Sequence, residues 1–108
     1  MREYELSPGA ERDLLEIAEY TLQTWGAEQL DRYETLLEVG ISALAARRSL
    51  GRNPIPHRTD LRCGRVAHHI VFILDRGASV PLVLAVLHEN MDLMARLDER
   101  TWGAGGSA

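Results

Sequence analysis

The sequence contains no lysine; all twelve of its basic residues are arginine. That excludes Schiff-base chemistry, lysine general bases and the lysine of a P-loop nucleotide site. Arginine, where it is used for function, suits the clamping of phosphate or carboxylate. The single cysteine, Cys63, excludes an internal disulfide and a multi-cysteine zinc site, and it suits a reducing compartment. No ligand cluster has the spacing of a metal site, so neither metal nor cofactor is expected. No apolar stretch approaches the roughly 20 residues that a membrane helix needs. The longest, Ile70 to Leu74 and Val80 to Leu87, are strand-sized. Arg2, Glu3 and Glu5 break any apolar run of the kind that opens a signal peptide.

What remains is an ordinary globular balance: 108 residues, 45% hydrophobic and 26% charged. That length fits one domain, expected over residues 1–100, with a flexible Gly/Ser/Ala-rich tail at 101–108. The net charge of −4 is unevenly spread. Residues 1–50 hold five arginines against ten carboxylates, about −5, whereas residues 47–76 hold seven arginines against Asp60 and Asp75, about +5. The acidic half argues against general coating of nucleic acid. The basic middle suits phosphate or an acidic partner segment.

The pattern along the chain predicts a β-α-α-β-β-β-α order. Residues 2–6 alternate, with Tyr4 and Leu6 on one side, as a short strand does. Ser7-Pro8 opens a helix, the serine as cap and the proline at the first helical position. Glu11 and Asp13 favour its dipole. That helix is expected over 8–25, burying Ala10, Leu14, Ile17, Ala18, Thr21 and Trp25, and Gly26 stops it. A second helix over 27–47 buries Leu30, Tyr33, Leu37, Ile41 and Leu44. With so short a link the two form an antiparallel hairpin, and Gly40 would let the helices approach closely. Arg47 and Arg48 suit the negative end of the second helix. Residues 49–60 read as a loop, broken by Gly51, Pro54 and Pro56. Strands follow at 61–65, 69–74 and 82–87, with a hairpin loop at 75–79. Asn90 caps a short helix from Met91 to about Arg100. The fold class is α+β: a helical hairpin covering one face of a mostly antiparallel four-stranded sheet. The other face is expected to await a second polypeptide, although apolar strands such as 70–74 imply cover on both sides.

These residues resemble a known family. Leu6-Ser7-Pro8, Ala10, Asp13-Leu14, Ile17, Tyr20-Thr21 and Trp25-Gly26 are similar to the first strand and helix of ParE toxins in the RelE/ParE superfamily, and Gln29 and Tyr33 continue the pattern. Leu61-Arg62, His69-Ile70-Val71-Phe72 and Val86-Leu87-His88 with Met91-Asp92 resemble the family's later strands and closing motif. The resemblance covers about residues 3–97. It implies the RelE/ParE-like fold and a cytoplasmic toxin of a type II toxin–antitoxin system. The partner it implies is a ParD-like antitoxin, a ribbon-helix-helix dimer whose C-terminal segment wraps the toxin. The target it implies is DNA gyrase, poisoned by protein contact without catalysis and without direct sequence-specific nucleic-acid binding. The alternatives are a RelE-like, ribosome-dependent endoribonuclease and a binding module that has lost toxicity.

RelE-like cleavage needs a base for the ribose 2′-OH, cations for the phosphate and an acid for the leaving oxygen. RelE-like enzymes draw on lysines, arginines and a tyrosine near the C-terminus. This chain has no lysine and no tyrosine after Tyr33, and Ile73 stands where many relatives have tyrosine. His68, His69 and His88, with Arg62 or Arg65 as clamp, keep acid–base chemistry in view. The expected contacts with target or antitoxin are Arg58, Arg62, Arg65, His68, His88, Met91 and Asp92. Each also has a plainer reading: exposed strand charge for the arginines, strand-end structure for the histidines, a helix start for Asp92. Met91, Met94 and Leu97 are expected to pack the last helix on the sheet, and Trp25 to lie in the core.

Overall fold

Ser7 fixes where the chain leaves its first strand. In the computed structural model, which describes residues 3–47, 50–77, 79–91, 93 and 95–97, β1 spans only Glu5–Leu6 before helix α1, Pro8–Trp25, begins. The Ser7 hydroxyl oxygen accepts from the Ala10 N–H (3.0 Å), capping α1, and its O–H donates to the Leu84 carbonyl (3.0 Å). Gly26 ends α1 and starts α2, Ala27–Ala46. Its φ of +93° is a conformation only glycine takes without strain. Its N–H bonds to Leu22 and its carbonyl accepts from Leu30, so one residue serves both helices.

The remaining strands are β2, Leu61–Val66, β3, His69–Leu74, and β4, Leu82–His88. The sheet order is β1-β4-β3-β2, with β1 parallel to β4 and the other pairs antiparallel. A bulge inserts Leu84 into β4, since Phe72 pairs with Ala85 and Ile73 with Val83. Leu84 and Ala85 therefore both pack on the same side. β1 pairs with only Leu82 and Val83, so β4 has an outer edge left to satisfy. Side chains of α1 take over: Ser7 meets Leu84, and the buried Asp13 accepts from the Val86 N–H (2.9 Å). Asp13, expected as a helix-dipole residue, is a substitute for a missing strand.

The core has two layers. Between helices and sheet lie Ala10, Leu37, Ile41, Leu44, Ala45, Val66, Val71, Ile73, Val83 and Val86. Gly40 does not bring the helices together as expected. It faces β2, where a Cβ would overlap the methyls of Val66, and Gly64 reciprocates under Leu44. The two glycines let α2 sit close on the sheet.

The second face corrects the expectation that it waits for another polypeptide. Leu61, Cys63, Phe72, Leu84, Ala85 and Leu87 are already buried there. Ile55, from the 51–60 loop, and Leu93 and Leu97, from the helical segment after β4, cover them. Leu97 is fully enclosed, as its packing reading required, while Met91 is exposed. Met94, Asp92, Arg48 and the expected tail lie outside the described residues.

Candidate functional site

The two ends of the long strands carry the residues singled out by sequence. At the end where β2 begins and β3 finishes stands Arg62. It was expected on the surface as a contact; the structure encloses it, 4% exposed. Its Nε and Nη2 donate to the Asp75 carboxylate (2.8 and 3.2 Å). Nη1 donates to the carbonyls of Leu44 (2.6 Å) and Arg47 (3.0 Å), with that of Leu50 at 3.2 Å. The first two carbonyls close α2, so Arg62 supplies the positive charge expected there from Arg47 and Arg48. A guanidinium with its donors so occupied is a structural lock. Arg58, in the loop before β2, pairs with Asp60 through two bonds of 3.0 and 3.1 Å, which holds that carboxyl below its ordinary range.

At the opposite end the chain gathers Arg65, His68 and His88 of the expected set. The β2–β3 hairpin turns through Ala67, whose φ is +55°, and sets successive histidines on opposite sides. His68 is exposed and His69 is buried. Glu89, just after β4, binds both Arg65 (2.9 Å) and His68 (3.3 Å). The Glu89 N–H also donates to the His68 carbonyl (3.1 Å), tying the turn to β4.

Beneath them sits a group that sequence reading did not join. Tyr33 of α2 lies 2.6 Å from His69 Nδ1 and accepts from the His68 N–H (3.2 Å). His69 in turn meets His88 edge to face, ring centroids 5.4 Å apart. Burial, with His88 and His68 adding to it, pushes His69 down to about 4. His69 is therefore neutral at physiological pH, and a single proton is shared between the Tyr33 hydroxyl and Nδ1 in this bond. His88 Nδ1 accepts from the Asn90 N–H (3.1 Å). Burial raises Tyr33 above its ordinary value, so it remains a phenol.

The end of the helical hairpin overhangs this floor and encloses an open recess of about 500 Å³. Ile17, Tyr20, Thr21 and Trp25 line it from α1, Gln29 and Tyr33 from α2, and the three histidines from the sheet. Trp25 was expected in the core. It is 67% exposed and borders the open recess instead. Tyr20 is 65% exposed. The signal for Trp25 was its own helical spacing, but spacing along one helix could not show the recess. Nothing in the sequence pairs Tyr33 with His69, 36 positions on. Among the described residues no group of three or more ligating side chains is placed to hold a metal ion. None of the described helices is long and apolar enough to cross a membrane.

Comparison with known proteins places this architecture. A family model described as "ParE toxin of type II toxin-antitoxin system, parDE" matches residues 4–93. The chain is 45% identical over 107 residues to Toxin ParE of Escherichia coli, covering 95% of this chain and 100% of that protein. It is 33% identical over 97 residues to Toxin ParE1 of Caulobacter vibrioides, covering 90% and 99%. A solved structure titled "Chromosomal ParDE TA system from P. aeruginosa" superposes with a TM-score of 0.66 at 14% identity, covering 79% of this chain and 92% of that one; it bears on the fold alone. The strand, helical hairpin and mixed sheet thus agree with the sequence match, and the chain belongs to the ParE toxin family of parDE type II toxin–antitoxin systems.

Proposed function

We propose that this toxin arrests growth in the cytoplasm by binding DNA gyrase, without catalysing a reaction, and that a ParD-like antitoxin neutralises it by covering its surface. The observation that carries the non-enzymatic reading is the state of the polar groups. Arg62 is enclosed, Arg65 and His68 are held by Glu89, and His69 is a neutral ring bonded to Tyr33. Neither arginine expected as a clamp, Arg62 or Arg65, is left free beside a histidine, as phosphodiester cleavage would need. Exposed aliphatic side chains on the helices, Leu15 (60%), Leu22 (48%), Leu36 (56%) and Val39 (64%), support a protein cover. The end bearing Arg65, His68, His88, Tyr20 and Trp25 is the proposed target contact, with Met91 as a further candidate. Arg62 and the paired Arg58 are not carried forward in that role.

Expression of the chain without antitoxin tests the reading. It is expected to induce the DNA-damage response, accumulate cleaved chromosomal DNA and leave bulk mRNA intact. Arrested cells with normal replication and supercoiling would refute the gyrase target. Codon-positioned mRNA cuts that disappear in Arg65→Ala or His88→Ala would instead establish the endoribonuclease.

A further inference from the structure

We infer that the recess at the end of the helical hairpin receives an arginine side chain from a basic segment of a partner protein. This rests on the proposed contact role of that end, and it adds the chemistry of what is contacted. Two solvent-exposed aromatic rings, Tyr20 and Trp25, border one cavity, with the Tyr33 ring deeper in it. Aromatic faces attract a guanidinium placed over them, and arginine is the commoner partner in such contacts. In the floor His69 is a neutral ring whose Nδ1 is occupied by Tyr33.

Charge around the recess selects the same occupant. Outside the buried Asp13, residues 8–46 carry seven exposed carboxylates and only two arginines, Arg12 and Arg32, a net of −5. Glu16 lies one helical turn before Tyr20, Glu19 adjoins it, and Glu28 adjoins Gln29 of the opposite wall. On the sheet side Arg65 is paired with Glu89 at 2.9 Å, and Glu89 also meets His68 Nδ1 at 3.3 Å, so that rim is balanced. An acidic peptide or a nucleic-acid phosphate would meet repulsion along the helices. A basic segment is drawn in by the same field, and its arginine has an aromatic seat.

The test uses the full chain in a Trp102→Phe background, where Trp25 is the only tryptophan, titrated with a nine-residue arginine peptide and followed by fluorescence. Binding is expected to shift Trp25 emission. Affinity should fall at least fivefold in Tyr20→Ala and in the combined Glu16→Gln, Glu19→Gln, Glu28→Gln variant. Tyr20→Phe, which keeps the ring, should retain it, and this guards against loss of folding in the alanine variant. Nine lysines should bind at least threefold more weakly. Unchanged affinity in Tyr20→Ala, or no change in Trp25 emission on binding, overturns the inference. So does tighter binding of a nine-residue glutamate peptide or of oligothymidine at the same site. None of these outcomes depends on gyrase, so failure here leaves the target reading standing, and failure of the growth assays leaves this result standing.

Discussion

The two ends of the sheet follow opposite plans. Where β2 begins, Arg62 is sealed among Asp75 and the last carbonyls of α2. Where β2 turns into β3, the polar groups ring an open recess, and two large aromatics stand in solvent. Both ends attracted attention in the sequence for the same reason, arginines and histidines on strands. The difference teaches that residue type does not separate a lock from a contact; what separates them is whether the C-terminus of a helix presents its carbonyls to the guanidinium. At Arg62 it does. At Arg65 the guanidinium reaches out instead to Glu89 and the Ala67 carbonyl.

The sharpest break of this comparison is Arg62→Ala. It leaves Asp75 with its charge largely buried and unpaired, and the α2 carbonyls without donors. Chemical denaturation should show a loss of about 3–5 kcal/mol. Arg62→Lys should recover only part, since a point ammonium cannot reach carboxylate and carbonyls together. A melting curve like that of the parent would mean the lock is idle.

Acid attacks the other end. His69 titrates near 6.5 when unfolded and about 4 when folded. The folded state therefore binds fewer protons between these values. Stability is full above pH 6.5, declines as pH falls toward 4, and levels off below it. The share from this ring is on the order of 3 kcal/mol. Denaturation midpoints across that range should show the decline, and His69→Asn should flatten it. Asp13→Ala follows, removing the acceptor for the buried Val86 N–H; a loss of about 1–3 kcal/mol is expected by thermal denaturation. Trp25→Ala and Tyr20→Ala are the smallest for stability, within about 0.5 kcal/mol, because both rings are exposed.

The elements were legible because local chemistry marks them. Ser7-Pro8 and Gly26 bound α1 where expected, and the change from helical to alternating period announced the strands. The final helical segment is described only at Leu93 and Ala95–Leu97. Arg65 and His68 were legible because they sit in the basic stretch 47–76, and His88 because it closes the last strand. The rest is tertiary. Leu84's bulge, Asp13's service to β4 and the Tyr33–His69 bond join residues whose separation leaves no periodic trace. Of the cover on the second face, Leu97 was expected from the spacing of the last helix, whereas Ile55 is a loop residue that no periodic pattern can foresee. Trp25 kept its helical phase and still lies at the rim of an open recess, which spacing along one helix cannot show.

The most direct measurement compares growth arrest by Trp25→Ala and Tyr20→Ala with that of the parent, at matched soluble levels and without antitoxin, alongside melting temperature. Arrest should be lost while melting stays at the parent value. Full arrest by both variants would contradict a contact role for the open end of the sheet.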